Sequence, residues 1–468
     1  MKRLLLPLLM LTAGCGGKSG TLTLKMVVSP GDDPFADASQ VRFTVGDAAH
    51  VTTVPVAAGH FTFSVSGKPQ NTPGPVLVEA LDSSGAVVAH GTTPNLLLSA
   101  IDQGPIAVWV GRPGRIAPAA AMLPTPVAEV ATAEIPGLGV LYAGGRGADG
   151  NPVQDTAVYD IYTHDVINTA KLQKARAGGV GGAVSNVRAI VYGGSTSPGF
   201  GTFASVDGTM ELFDPTVGLG VFAALPVDPI GGRAYANGTT LATGSILISG
   251  GVDASGAPIG NAGLVNPDGA IKLTQLASPM AAARVGHAVA PAKFPDGDGA
   301  ILFGGLPLGS TGAPVVERLV GQSFAAYDVG ALENRVQATA TKMPSGDVLI
   351  LGGRTASGAQ ASGVLLTPTT PGATVTPLPA AMSTARAGHT ASLSGNELIV
   401  CGGADNAGVA VGSCDVLDAM TYAIKKTIPM ATARRDHTAQ VMETGIVVLA
   451  AGIGADNAPL GSIEIYTP

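Results

Sequence analysis

The stretch ARAGHTASLSGNELIVCGGADNAG, residues 385–408, decides the fold of this chain. It combines an arginine, a histidine three residues later, and two glycines that directly follow an apolar run. Nearly the same phrase, ARVGHAVAPAKFPDGDGAILFGG, occupies residues 283–305. A phrase that returns at a regular interval indicates a repeated structural unit.

The apolar run with its two glycines occurs six times, and a seventh copy, VVLAAG, keeps only the second glycine, Gly452. The six full pairs are Gly144-Gly145, Gly193-Gly194, Gly250-Gly251, Gly304-Gly305, Gly352-Gly353 and Gly402-Gly403. The second glycines of successive copies are 49, 57, 54, 48, 50 and 49 residues apart. After most pairs a further apolar strand ends in an acidic or polar residue. Units of this length with several strands each predict a radial array of small β-sheets.

These repeats resemble those of the kelch family over roughly residues 113–468. The resemblance implies a seven-bladed β-propeller, in which the inner strands are buried on both faces and the glycines allow a sharp turn at positive φ. One feature departs from the family. Kelch blades usually carry a tryptophan in the outer strand, whereas the only tryptophan here, Trp109, precedes the repeats. We expect smaller residues to fill those spaces.

The ends of the repeat region predict how the ring closes. The last copy stops at SIEIYTP, one strand short of a four-stranded unit. The segment GRIAPAAAMLPTPVAEVATA, before the first copy, aligns with ATVTPLPAAMSTARAGHTAS when Met122 is matched to Met382. We therefore expect residues 114–122 to supply the outer strand of the last blade, which would cover an exposed strand edge.

The region before the repeats reads as a separate small β-domain, residues 21–112. Seven alternating or apolar runs are separated by turn-rich segments, which predicts a β-sandwich of immunoglobulin-like or transthyretin-like type. The runs are TLTLKMVV, VRFTV, HVTTVPV, HFTFSVSG, PVLVEALD, AVVAHGT and PIAVWV. Asp32, Asp33 and Asp37 share one loop but lack the spacing of a calcium site, so we interpret them as a solvated turn.

The composition agrees with an all-β chain. Of its 468 residues, 46% are hydrophobic, and 66 glycines and 34 prolines suit many short strands joined by turns. A net charge of −7 argues against a nucleic-acid partner, because phosphate binding needs clustered lysine and arginine.

The first residues, MKRLLLPLLMLTAGCGG, have the basic start, short apolar run and small residues of a secretory signal peptide. The stretch TAGC resembles the lipobox of bacterial lipoproteins, although Thr12 stands where that family prefers leucine. The resemblance implies removal of residues 1–14, acylation of Cys15, and a tether over residues 15–20. Ordinary cleavage, with Cys15 free or disulfide-bonded, is the alternative.

Acylation would anchor the protein firmly at a membrane surface, because several acyl chains bind far more strongly than one. By resemblance to the enterobacterial sorting rule, Gly16 favours the outer membrane. We therefore expect a lipid-anchored protein of the bacterial envelope, facing the periplasm or the cell surface.

Export implies an oxidising compartment. Cys401 and Cys414 flank a turn-rich segment, so an antiparallel hairpin could place them opposite each other. A disulfide and two buried thiols are both open interpretations. Neither is catalytic, since the sequence has no C-x-x-C and no metal-ligand spacing around these residues.

The arginine of the phrase recurs in every copy except the first, where Pro126 stands. The six arginines are Arg176, Arg233, Arg284, Arg335, Arg386 and Arg434. Equivalent positions predict a ring near one mouth of the central channel. Either each guanidinium braces the blades by binding strand-end carbonyls or a neighbouring blade's carboxylate, or the ring binds a carboxylate, phosphate or acidic peptide. His287, His389 and His437 occur in three copies, and we interpret them as structural rather than metal-binding.

The second copy has a longer loop, GGSTSPGFGTFASVDGTMELFDP, which places Phe200 and Phe203 in a Gly/Ser-rich segment. These aromatics are candidate contacts for a protein or a glycan, and a loop that folds over its own phenylalanines is the alternative. In kelch proteins that bind partners, the turns into the first strand and the loops after the glycines share one face.

No G-x-S-x-G, H-E-x-x-H, P-loop or dinucleotide fingerprint is present, so we expect no catalytic residues, cofactor or metal. The leading interpretation is a membrane-anchored, non-enzymatic binding protein for a protein, peptide or polysaccharide of the envelope. One alternative is a copper oxidase resembling galactose oxidase, which would need two histidines, a tyrosine, and a tyrosine cross-linked to a cysteine. The other is a structural subunit of an envelope complex.

Overall fold

The computed structural model describes residues 9–13, 20–46, 51–56, 73–96, 106–185, 187–225, 229–307 and 311–468. These residues form 39 β-strands. Among them there is no helix with the length and apolar character needed to cross a membrane. Cys15 lies outside the described residues, so its acylation remains a prediction.

Seven strands precede the repeats and form two sheets. They are β1 (Leu9–Ala13), β2 (Gly20–Val27), β3 (Gln40–Val45), β4 (Val51–Pro55), β5 (Val76–Leu81), β6 (Val87–Thr92) and β7 (Ile106–Trp109). The orders are β1-β2-β7 and β4-β3-β5-β6, and β2 runs parallel to β7. Removal of residues 1–14 would therefore leave β2 as the edge of the first sheet. The run HFTFSVSG, residues 60–67, lies outside the described residues.

The two N-terminal sheets share one core, built from alternate residues of their strands. Val41, Phe43 and Val78 from one sheet pack with Val108 from the other. Burial alternates along β3, as expected when successive side chains point to opposite faces.

The acidic loop of this region is tied to Arg112. The guanidinium lies 2.9 Å from the carboxylate of Asp37 and 3.5 Å from that of Asp32. Its Nη2 also donates to the carbonyl oxygen of Asp33 at 3.2 Å. The loop thus pairs its carboxylates with an arginine at the junction between the N-terminal sheets and the repeats.

In the described part of the repeat region, the strands form seven four-stranded antiparallel sheets. The first is β9 (Ala131–Ile135), β10 (Gly139–Ala143), β11 (Thr156–Asp160) and β12 (Val166–Asn168). The second is β13 (Val180–Val184), β14 (Arg188–Tyr192), β15 (Met210–Asp214) and β16 (Val221–Ala224). The third is β17 (Asn237–Thr240), β18 (Ile246–Ser249), β19 (Ala262–Val265) and β20 (Leu273–Gln275). The fourth is β21 (Ala288–Phe294), β22 (Gly297–Phe303), β23 (Val316–Val320) and β24 (Ser323–Ala326).

The remaining three sheets follow the same order, with one exception in the last. The fifth is β25 (Thr339–Lys342), β26 (Val348–Leu351), β29 (Gly363–Pro368) and β30 (Ala373–Leu378), beside a hairpin of β27 (Arg354–Thr355) and β28 (Gly358–Ala359). The sixth is β31 (Thr390–Ser394), β32 (Glu397–Cys401), β33 (Ser413–Asp418) and β34 (Ile424–Pro429). The seventh is β36 (Thr438–Val441), β37 (Val447–Ala450), β39 (Leu460–Thr467) and, from before the first sheet, β8 (Arg115–Val127). β35 (Arg434–Arg435) pairs with β38 (Ile453–Gly454) beside it.

The seven sheets form a closed cycle, consistent with the blades of a propeller. The innermost strands contact one another in chain order, and β36 of the last sheet contacts β9 of the first. At this seam Gln440 Nε2 donates to Thr132 Oγ1 at 3.1 Å. The second strands, such as β10 and β37, are buried along their whole length because a neighbouring sheet covers each face.

The closing strand confirms the prediction made from the chain ends. β8 lies on the outer edge of the last sheet, where Arg115 pairs with Thr467 and Ala117 with Ile465. The pairing continues to Val127, five residues beyond the predicted 114–122, with two register shifts on the way.

Candidate functional site

The arginines of the repeated phrase are buried inside the sheets. In each case the guanidinium donates to the carbonyl of the first residue of the glycine pair in its own sheet. Arg284 Nη1 donates to Gly304 O at 2.6 Å, and Arg386 Nη1 donates to Gly402 O at 3.0 Å. In the last sheet, Arg434 Nη1 donates to Ala451 O at 3.2 Å.

Four of these arginines also pair with a buried carboxylate on the third strand of the same sheet. The pairs are Arg176–Glu211, Arg284–Glu317, Arg386–Asp415 and Arg434–Glu464, at 2.6, 2.6, 3.4 and 2.9 Å. The carboxylates also bind the backbone just before the phrase arginine. Glu464, for example, accepts from the N–H groups of Ala431 and Thr432 at 2.7 and 3.0 Å. Arg233 and Arg335 bind Asn261 and the Ser362 hydroxyl instead.

The link between neighbouring sheets is made by the backbone of the arginine rather than by its side chain. The second glycine of one sheet donates its N–H to the arginine carbonyl of the next, as from Gly353 to Arg386 at 2.9 Å and from Gly403 to Arg434 at 2.9 Å. Of the two bracing partners considered from the sequence, the strand-end carbonyls are the ones bound, whereas the carboxylates that the arginines pair with stand in the same sheet and not in a neighbouring one. The geometry favours bracing, since the six guanidinium groups are buried in the sheets that the structure describes.

The histidines of the phrase pack against the glycine pairs. A Cβ on Gly250 would lie 2.6 Å from the His287 ring, and a Cβ on Gly305 would lie 2.4 Å from His287 Cβ. The same imidazole lies 2.9 Å, through Nε2, from the hydroxyl of Ser249 in the preceding sheet. His389 and His437 repeat this contact with Thr339 and Thr390. Each histidine therefore packs between the glycine pairs of two sheets.

These contacts hold the imidazoles neutral. Burial, with a smaller contribution from the nearby arginine, lowers the pKa of His287 and of His389 to about 3. Burial likewise lowers the pKa of His437 well below its ordinary value.

Among the described residues, those needed for a galactose-oxidase-like copper site are not brought together. Cys401 and Cys414, directly opposite on β32 and β33, form a disulfide, so neither is available for a cross-link to tyrosine. The phrase histidines are each enclosed between sheets. In the described ranges, no three His, Cys, Asp or Glu side chains are grouped so as to hold a metal ion.

A band of residues at one mouth of the cycle was missed by sequence reasoning. It is formed by the residue two positions after the phrase arginine in six copies. In the first copy Val127, one residue after the predicted Pro126, occupies the arginine position, because Gly452 donates its N–H to Val127 O at 3.0 Å, and Glu129 follows two residues later. We call it the collar: Glu129, Gly178, Tyr235, Gly286, Gln337, Gly388 and Asp436. All seven have positive φ, between 50° and 64°. Their N–H groups bond from sheet to sheet, as from Gly178 to Glu129 O at 2.7 Å and from Tyr235 to Gly178 O at 2.8 Å.

Glycines and larger residues alternate around the collar, and two of the three glycines make room for the side chain of the next collar residue. A Cβ on Gly178 would lie 2.6 Å from the Tyr235 ring, and a Cβ on Gly388 would lie 2.5 Å from the Asp436 carboxylate. Four non-glycine residues nevertheless adopt the left-handed conformation, which usually costs about 1 kcal/mol or more each. Strain of this kind tends to cluster at functional sites.

The carboxylates of Asp436 and Glu129 interact electrostatically where the collar passes from the last sheet to the first. Burial raises the pKa of the Asp436 carboxyl, the neighbouring Arg435 guanidinium opposes that rise, and the charge of Glu129 adds to it. Arg435 Nη1 lies 2.9 Å from the Asp436 carboxylate. Glu129 is bound on both oxygens, by Arg146 Nε at 2.7 Å and by Gly201 N at 3.1 Å.

A cavity of about 680 Å³ opens directly beneath one side of the collar. Val130, Gly179 and Ala236, which each follow a collar residue, line its upper part. Below them it is lined by small and polar groups of the innermost strands, including Thr132 and Asn237. The collar is therefore the entrance to the central channel between the first three sheets.

The loops after the glycine pairs lie on the collar face, as the resemblance implies. Short bridges join them to the turns into the innermost strands, for example Ala128 with Arg146 and Ala387 with Ala404. The long loop of the second sheet belongs to this face. Phe203 packs against the third sheet, since a Cβ on Gly256 would lie 2.3 Å from its ring, whereas Phe200 remains 40% exposed.

No protein-family model and no curated protein matches this chain. Solved structures do match. A novel fungal alcohol oxidase of the AA5 family, in complex with copper, is similar with a TM-score of 0.55 and 18% identity, over 76% of this chain and 76% of the oxidase. A protein named YjhT matches over 64% of this chain and 97% of its own, with 13% identity and a TM-score of 0.45. Identities this low show the fold alone, a β-propeller.

Proposed function

We propose that this chain is a seven-bladed kelch-type propeller, preceded by a β-sandwich of immunoglobulin-like or transthyretin-like type, that binds a protein, peptide or polysaccharide without catalysis. The collar carries this proposal. A band of seven positive-φ residues, four of them bearing side chains, surrounds the entrance to a polar channel. Such strained and precisely placed side chains are typical of recognition sites on rigid scaffolds.

The same proposal includes an envelope location. Anchoring through an acylated Cys15 in the lipobox-like stretch would place the collar in the periplasm or at the outer surface of an outer membrane. The Cys401–Cys414 disulfide supports an oxidising compartment. The partner would then be a component of the cell envelope.

Site-specific photo-crosslinking tests the binding face. A crosslinking amino acid at Gln337, an exposed collar residue, is compared with one at Asp298, an exposed residue near the start of β22 in the fourth sheet, at the opposite face. With envelope extract, we expect a discrete adduct from position 337 and none from position 298. Equal adducts from both positions, or adducts from 298 alone, would overturn the proposal.

Elemental analysis of the purified full chain tests the alternative of a copper oxidase. We expect copper well below one equivalent after incubation with copper and removal of the excess, because the described residues provide no ligand cluster. One equivalent of tightly bound copper would instead favour the function of a copper oxidase over that of a non-enzymatic binding protein.

A further inference from the structure

We infer that Arg146 positions a preordered recognition loop, residues 195–206, and that this loop presents Phe200 to a polypeptide partner. The inference rests on the proposed binding face and names its contact surface. Two neighbouring copies depart from the repeat. The first copy lacks the phrase arginine but has Arg146 directly after its glycine pair, and the second copy has the long loop.

Arg146 joins the first sheet, the collar and the long loop. Its side chain is 0% exposed, and Nε donates to the Glu129 carboxylate at 2.7 Å. Nη2 donates to the carbonyl oxygen of Thr202 at 3.0 Å, and Nη1 donates to that of Ser197. Two carbonyls of the second sheet's loop are thus held by a buried cation of the first sheet.

Further bonds fix the loop at both sides. Gly199 donates its N–H to Gly150 O of the first sheet at 2.8 Å. Gly201 donates to the collar carboxylate of Glu129 at 3.1 Å. At the other side Phe203 packs on Gly256 of the third sheet. A loop ordered before binding loses less conformational freedom on association, which favours affinity.

The ordered loop presents an aromatic anchor without charge. Phe200 stands between Gly199 and Gly201, and a Cβ on Gly201 would meet no atom within 4 Å. The segment STSPGFGTFASV, residues 195–206, contains no ionisable side chain. In loops that bind proteins, an aromatic side chain commonly supplies the contact area, and small polar residues around it supply hydrogen bonds. Aromatic anchors also dominate the binding energy of polypeptide interfaces.

Hydrogen exchange tests the positioning role without any ligand. Arg146→Gln is compared with Arg354→Gln, because Arg354 also follows a glycine pair but donates from Nη2 to Asp405 O at 2.8 Å, away from the loop. We expect the amides of residues 196–205 to exchange about tenfold faster or more in Arg146→Gln, beyond any general loss of protection that the other segments show. Unchanged loop protection would overturn the positioning role.

A second variant guards against misfolding caused by an unpaired carboxylate. In Arg146→Gln with Glu129→Gln, both members of the buried pair become neutral, so no isolated charge remains. The same loss of loop protection is expected in this folded double variant. Wild-type protection in it would contradict the role given to Arg146.

Peptide binding tests the partner class. Peptides selected from a random displayed library on the full chain are titrated against Phe200→Ser and against Leu219→Ser, whose residue is 70% exposed near the edge of the second sheet. We expect the first substitution to weaken binding about tenfold or more and the second to have no effect. Peptides insensitive to Phe200, or polysaccharides whose binding alone depends on it, would overturn the assignment. Crosslinking at Gln337 remains a separate test of the face.

Discussion

The indole N–H of Trp109 donates to the hydroxyl of Thr467 at 3.1 Å, which joins the residue at the end of β7 to the penultimate residue of the chain. The indole is 2% exposed. The backbone N–H of Trp109 donates to His164 Nε2 of the first sheet at 3.0 Å, and His90 Nε2 lies 2.8 Å from the carbonyl oxygen of Pro468. The N-terminal sheets, the first sheet and the closing strands therefore meet at one seam.

Because Trp109 is the only tryptophan, its fluorescence reports on this seam alone. We expect a blue-shifted emission maximum in the folded protein and a red shift on unfolding in urea. Thr467→Val removes the acceptor of the indole N–H and should lower the free energy of unfolding by about 1–2 kcal/mol. Fluorescence and far-ultraviolet circular dichroism should give one midpoint. A fluorescence change well before the dichroism change would show that the seam opens separately.

Replacement of a phrase arginine should destabilise the protein by leaving a carboxylate buried and unpaired. Arg434→Met leaves Glu464 without its cation at 2.9 Å, and we expect a loss of about 3–5 kcal/mol in urea unfolding. Arg434→Met combined with Glu464→Gln should recover a large part of that loss. Wild-type stability of Arg434→Met would contradict the bracing role.

The repeat, the closure and the buried phrase could be predicted from the sequence because each rests on a local pattern. Paired glycines after an apolar run mark a strand end in six of the seven copies, and the missing strand after SIEIYTP required a partner from elsewhere. A regular repeat makes such patterns visible without knowledge of which sheets touch.

The collar and the loop anchor could not be predicted in the same way. Collar positions hold Glu129, Tyr235, Gln337 and Asp436 as well as glycine. Their shared positive φ therefore cannot be predicted from residue type. Only their position is constant, two residues after the phrase arginine or, in the first copy, after Val127. Arg146 was missed because it contacts residues 195–206 of the next sheet. The spacing of residues in the sequence does not show which loops of neighbouring sheets touch.

Loss of the Cys401–Cys414 disulfide should weaken the sixth sheet. The bond closes a loop with a sequence separation of 13, and a loop of about 15 residues corresponds to roughly 3 kcal/mol in the chain-entropy description. We expect Cys401→Ser with Cys414→Ser to lower the free energy of unfolding by about 2–3 kcal/mol. Reductant should lower the stability of the wild type and leave the double variant unchanged. Equal sensitivity of both proteins to reductant would contradict this.

Acid should destabilise the protein through its buried histidines. The pKa of His389 is about 3 in the folded chain, whereas an unfolded histidine has a pKa of about 6.5. Below pH 6.5 the unfolded chain binds a proton that the folded chain excludes, so stability falls as the pH is lowered from 6.5 towards 3. Above pH 6.5 both states are neutral at this position, and the histidine adds no pH dependence.

His389→Gln isolates this contribution, because glutamine can keep a hydrogen bond to Thr339 without titrating. We expect the difference in unfolding free energy between wild type and variant to be constant from pH 7 to pH 8. Between pH 6 and pH 4.5 it should shift against the wild type by about 1.4 kcal/mol per pH unit, the value for one proton. Carboxylates that titrate in this range cancel in the difference. Parallel curves for the two proteins down to pH 4.5 would mean that His389 is accessible to protons in the folded state.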